Sequence, residues 1–251
     1  MHGLGHGAWC WFKLKPLLEA SGHRVSAFDL SASGTNTKVT QQIKTFADYT
    51  GPLLEFMATI PPEEKVVLVG HSLGGMNIAL AMEKFAKKVS VAIFLAAFMP
   101  DTAKKPSYVI QQLVERTPPE FWFDTQFVPY TDETDSEVAM LFGPKFLSLN
   151  MYQLCSDEDQ ELGKILLRPG SLFLKDMPNT KEFTEDRFSS VRRVFVITDE
   201  DKILNEDYQK WMIDNNPVDE VKELKSVDHM PMLCDPKQLT VCLLDIVNKN
   251  T

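Results

Sequence analysis

The chain has 251 residues, 44% of them hydrophobic, and 26 Lys+Arg against 35 Asp+Glu give a formal charge of −9. That hydrophobic content supports a packed core and excludes wholesale disorder. The acidic balance excludes a nucleic-acid partner and an anionic membrane surface as first expectations. The longest apolar run, Val91 to Met99, is too short to span a bilayer, so no membrane association is expected.

In chain order, Trp9 to Ser21 reads as a helix with Leu14, Leu17 and Leu18 on one face, and Gly22 ends it. Arg24 to Leu30 reads as a strand. Thr45 to Ile60 has helical period through Phe46, Tyr49, Leu53 and Met57, and Pro61-Pro62 stops it. Lys65 to Val69 is an apolar run without alternation, as expected of a strand covered on both faces. Gly75 to Lys88 reads as a helix and Val91 to Ala97 as a second buried strand. This rhythm predicts an α/β fold with a mostly parallel sheet.

The rhythm breaks after Met99. Prolines recur from Pro100 to Pro178, aromatics and methionines are frequent, and no long covered strand is visible. We expect an inserted lid over residues 100–188, with the core formed by 1–99 and 189–251. Strand–helix order resumes with Arg193 to Ile197, Asn205 to Asn215 and Val221 to Lys225, and Leu239 to Asn248 closes the chain as an amphipathic helix.

The four cysteines, Cys10, Cys155, Cys234 and Cys242, contain no C-x-x-C pair, so no zinc or redox motif and no metal is expected. No signal-peptide pattern opens the chain, and a reducing, cytoplasmic setting is the expectation.

The strongest chemical signal is Gly70-His71-Ser72-Leu73-Gly74, lying between a predicted strand and a predicted helix. That context suits a nucleophile elbow, with Ser72 on a strained turn and the helix N-terminus aimed at developing negative charge. A serine hydroxyl needs a base. Of the five histidines only His229 lies C-terminal to Ser72, and it follows the last predicted strand, where this fold carries its base. The acid belongs after the penultimate strand, where Asp199, Glu200 and Asp201 compete and spacing does not choose. Asp228 adjoins the base, but neighbours on such a loop rarely face each other. His71 is read as packing or orienting the elbow, and His23 as a turn residue. The glycine-rich run His2-Gly3-Leu4-Gly5-His6-Gly7 suits an oxyanion loop supplying a second N–H beside that of Leu73. It lacks the lysine and hydroxyl ending of a phosphate loop.

These residues resemble the plant methylesterase and hydroxynitrile lyase group of α/β-hydrolases. The resemblance runs through His6-Gly7-Ala8-Trp9, Ser31-Ala32-Ser33-Gly34, Gly70 to Ala81, Phe142-Gly143-Pro144-Lys145-Phe146-Leu147, Arg168-Pro169-Gly170-Ser171 and Asp228-His229-Met230. It implies an α/β-hydrolase fold and a triad of Ser72, Asp201 and His229, with oxyanion amides on Leu4 and Leu73. It places Gly3, Phe98, Trp122, Phe127, Met140, Leu172 and Met230 in the substrate pocket, whose apolar character suits a flat aromatic or lipid-like ester. The implied reaction is cofactor-free hydrolysis of a small methyl ester of salicylate, jasmonate, indole-acetate or alkaloid type. The alternatives are a non-catalytic binder and a hydroxynitrile lyase. The lyases of the group carry lysine where this chain has Met230 and threonine where it has Gly3, and both differences favour the esterase. A homodimer is also implied.

The resemblance places a strand ahead of His2, where this chain has only Met1. The expectation is therefore a sheet with an unpaired edge beside an apolar slot. Leu4, in place of a small residue, is expected to narrow the pocket.

Overall fold

A computed structural model describes residues 1–131 and 137–250. Its central sheet contains β1 (Val66–Ser72), β2 (Val89–Ala97), β6 (Arg193–Thr198) and β7 (Glu220–Leu224) in the spatial order β1-β2-β6-β7, all parallel. β2 and β6 lie inside the sheet and are covered on both faces. Accordingly Ile93, Phe94, Leu95, Phe195 and Val196 are fully buried and the sequence shows no alternation. Helices Phe46–Thr59 and Gly74–Phe85 cover one face, and helices Leu14–Ala20 and Pro236–Asn250 lie on the other.

Local chemistry explains most element boundaries. Thr45 caps the helix Phe46–Thr59: its hydroxyl accepts from Asp48 N while the Asp48 carboxylate accepts from Thr45 N. Pro52 leaves the Asp48 carbonyl without its helical donor, and Ser31 Oγ supplies one at 2.8 Å. The helix expected over Trp9 to Ser21 is divided into a 3-10 turn, Ala8–Trp11, and the helix Leu14–Ala20. Pro16 has no N–H to offer the carbonyl four residues earlier, so one continuous helix does not form.

The strand expected over Arg24 to Leu30 is absent. The segment runs beside a cavity of about 690 Å³ that separates it from β1, and Ala27, Phe28, Leu53, Val67, Val69 and Leu244 line that cavity. An extended segment becomes a strand only when a neighbour completes its ladder. Met1 lies against the end of β1: its amino group donates to Val69 O, and its carbonyl accepts from His71 N at 3.0 Å. β1 is therefore the sheet edge, with the expected apolar slot beside it.

Between β2 and β6 the chain builds a second sheet, β3 (Gln126–Pro129), β4 (Val138–Leu141) and β5 (Gly170–Ser171), antiparallel in the order β3-β4-β5. These strands are too short to appear as covered runs in the sequence. Around them lie helices Tyr108–Arg116 and Asp157–Leu166 and a π-helical turn, Leu147–Met151. Phe121, Trp122, Phe142 and Phe146 stack or meet edge to face in this region, with ring centroids 4.9–5.8 Å apart.

Candidate active site

β1 ends at Ser72, whose backbone φ is 54°, the left-handed region that L residues adopt only under constraint. The turn is tight because β1 passes directly into the helix Gly74–Phe85. A side chain at Gly70 would place its Cβ 2.5 Å from Gly74 O. Leu73 stands at the helix N-cap, so its amide belongs to the unsatisfied first turn. The segment Met1–Gly5 packs against this elbow. A Cβ on Gly3 would lie 2.8 Å from Ser72 Cβ and 3.2 Å from Ser72 Oγ.

His229 follows β7 on the loop 225–230 and is 1% exposed. Its Nδ1 donates to Asp201 Oδ2 at 2.7 Å, and Asp201 is itself 4% exposed. The other oxygen, Oδ1, accepts from the backbone amides of Ile203 and Leu204 at 2.8 and 2.9 Å. The carboxylate is thus fixed by the turn after β6, and Nε2 is the imidazole nitrogen left to take a proton. Asp199 instead accepts from Val227 N and lies 3.9 Å from Lys225, while Glu200 bonds through its backbone. Asp228 accepts from Leu154 N and Met230 N. Of these carboxylates, Asp201 is the one that bonds to His229.

Ser72 and His229 open into the same cavity, of about 30 Å³, together with Leu4 and Leu73. Of the expected pocket residues, Gly3, Phe98, Trp122, Met140 and Leu172 also line it. Phe127 and Met230 do not. Phe127 lies on β3, 48% exposed, edge-on to Trp122 at 5.7 Å, because its strand faces outward from the insertion. Met230 is fully buried in the core under helix Pro231–Cys234, since the backbone turns away immediately after His229. The wall is completed by residues the sequence reading passed over, Leu113, Phe142, Phe146, Met151 and Ile203, besides His6 and His71.

Three buried histidines lie around the candidate site, and each donates to a backbone carbonyl of Gly3, Leu4 or His229. A carbonyl only accepts, so each contact fixes the tautomer. His2 Nδ1 donates to Gly3 O at 2.9 Å, and its Nε2 accepts from Leu30 N at 3.1 Å. His6 Nδ1 donates to Leu4 O at 2.8 Å, and its Nε2 accepts from Tyr152 Oη at 2.6 Å. His71 Nε2 donates to His229 O at 2.6 Å. Burial holds all three neutral: it pushes His2 down to about 4 and His6 to about 3, and it lowers His71 well below the ordinary histidine range, with neighbouring His229 adding to the effect. The elbow role expected of His71 takes this form. The clustering of His2 and His6 around Gly3 and Leu4 had no periodicity to reveal it.

A family model for the alpha/beta hydrolase family matches residues 1–240. The chain belongs to that family. It is 53% identical over 249 residues to Salicylic acid-binding protein 2 of Nicotiana tabacum, covering 99% of this chain and 96% of the relative. Methylesterase 1 of Arabidopsis thaliana is 51% identical, with 99% and 95% covered. The crystal structure of polyneuridine aldehyde esterase superposes with a TM-score of 0.95 at 48% identity, covering 98% of this chain and 96% of that one. The plant methylesterase resemblance read from the sequence is thereby established.

Proposed function

We propose that the chain is a serine carboxylesterase that hydrolyses small methyl esters through an acyl-enzyme. The observation that carries this reading is the Asp201–His229 bond at 2.7 Å, opening into one apolar cavity with a strained Ser72. Ser72 Oγ attacks the ester carbonyl while His229 Nε2 takes its proton. The amides of Leu4 and Leu73 hold the oxyanion. The imidazolium returns the proton to the leaving oxygen, methanol departs, and water repeats the sequence to release the acid. No metal or other cofactor takes part.

A cavity of about 30 Å³ holds one or two waters, not an ester. Residues 100–188 therefore act as a lid that shifts to admit substrate, and on closing they exclude bulk water from the acyl-enzyme. The aromatic lining from Trp122, Phe142 and Phe146 suits acyl groups of salicylate, jasmonate, indole-acetate or alkaloid type. Met230, buried where a lyase carries lysine, offers no cation to departing cyanide. The four free cysteines suit a reducing, cytoplasmic compartment. A homodimer is the assembly to seek by sedimentation.

A panel of methyl esters tests the reading, with Ser72→Ala as control. Turnover should fall to background in the variant while acid product still binds. Unchanged turnover in Ser72→Ala refutes the mechanism. Tight acid binding without turnover by the parent chain assigns a receptor role instead.

A further inference from the structure

Cys155 and Cys234 are far apart in the sequence, and neither belongs to a close cysteine pair. The fold brings them together around Asp228. Cys155 Sγ lies 3.5 Å from Asp228 Oδ2 and 3.8 Å from Oδ1. Both sulfurs and a carboxylate oxygen lie within 4.8 Å of one another. Cys155 and Asp228 are buried, while Cys234 is partly open and gives the cluster a path to solvent. The three residues come from separate places: the insertion, the loop carrying His229, and the end of helix Pro231–Cys234.

We infer that Cys155, Asp228 and Cys234 form a binding site for one thiophilic divalent cation, of which Zn²⁺ is the type. Tetrahedral zinc, with Zn–S near 2.3 Å and Zn–O near 2.0 Å, sets neighbouring sulfur and oxygen ligands about 3.5 Å apart. The Cys155–Asp228 pair already has that separation. Two thiolates and a carboxylate are a donor set that zinc and cadmium accept and magnesium and calcium do not. The Asp228 carboxylate also accepts from Leu154 N at 2.8 Å and Met230 N at 2.9 Å. A carboxylate has about four lone-pair positions, so these two bonds hold it in place and leave room for a metal.

A thiol that coordinates a divalent ion is deprotonated outright. With the carboxylate ionised, the two thiols and the ion combine to give the bound dithiolate–carboxylate and two free protons. The ion ties the insertion to the loop that carries His229, through ligands on both sides.

The test uses the full chain, reduced and stripped with EDTA, titrated with Zn²⁺ against a chromogenic chelator and separately with Cd²⁺. The expected result is one ion per chain, release of about two protons, a thiolate-to-cadmium charge-transfer band and a higher melting temperature. Cys234→Ala, at the partly open position, should stay folded by circular dichroism and lose the band. Cys155→Ser should lose it too, and Cys242→Ala should keep it. Absence of binding by the reduced parent overturns the site, as does an unchanged band in Cys234→Ala.

Discussion

His2, His6 and His71 are neutral in the fold because burial opposes their charge. In the unfolded chain each protonates near pH 6.5. Between pH 6.5 and about 4 the unfolded state therefore binds more protons than the folded one. Stability rises with pH across that window and is lost on acidification. Once the unfolded imidazole is protonated, each histidine contributes at most about 1.4 kcal/mol per pH unit, so from pH 6.5 to 5 His2 and His6 together lose about 3 kcal/mol, with His71 acting in the same direction. That is a large part of the 5–15 kcal/mol typical of a folded domain. Urea denaturation at pH 5 to 8 measures it. His6→Gln keeps a donor for Leu4 O and an acceptor for Tyr152 Oη but does not titrate. Its stability should fall less steeply with acid, by about 1.4 kcal/mol per pH unit relative to the parent. A stability that is flat between pH 6.5 and 5, or a His6→Gln slope equal to the parent's, refutes the reasoning.

Three further outcomes are expected. Asp201→Asn removes the acceptor that fixes His229, and kcat for methyl esters should fall about 10⁴-fold with KM little changed, as steady-state kinetics will show. Leu4→Ala enlarges the cavity beside Gly170, so kcat/KM for bulky acyl groups should gain about 10-fold over that for methyl acetate, at a cost of about 2–5 kcal/mol in urea. Ala27→Leu extends into the slot beside β1 and should add about 1–2 kcal/mol, read as a rise of a few degrees in melting temperature; no change would mean the slot is filled in solution.

The parallel core was legible because its strands are uninterrupted apolar runs, as at Val91 to Ala97, separated by periodic helices. The meeting of Ser72 and His229 at one cavity was legible because the fold sets their order in the chain and strand ends carry them. Asp201 was not separable from Asp199 and Glu200 by spacing. What selects it is the turn in which its Oδ1 caps Ile203 N and Leu204 N, a bond pattern written in geometry rather than in residue type. Arg24 to Leu30 misled for a related reason: β propensity is a statement about neighbours, and its neighbour here is a cavity. Phe127 and Met230 were placed by analogy, and each is turned from the cavity by its local backbone, an outward strand in one case and a helix start in the other.

The insertion is tied by several hydrogen bonds to the loops proposed to carry the chemistry, and two of them, one buried and one part-buried, come from a single stretch. Tyr152 Oη donates to His6, whose other nitrogen holds Leu4 O. Two residues later Leu154 N donates to Asp228, immediately before His229. One short stretch after the π-helical turn Leu147–Met151 thus touches both the group proposed to stabilise the oxyanion and the loop of the proposed base. Movement of this stretch would disturb both at once. The aromatic wall of Trp122, Phe142 and Phe146 is held by ring contacts and by a bond within the insertion itself, Phe146 N to Asp124 Oδ1 at 2.9 Å. On the proposed function, the aromatic side of the insertion, Trp122 and its neighbours, is expected to move on substrate entry while Tyr152 to Cys155, tied to the loops of Leu4 and His229, stays in place. Hydrogen exchange with bound product acid should show that division, with protection gained around 119–129 and none around 152–155.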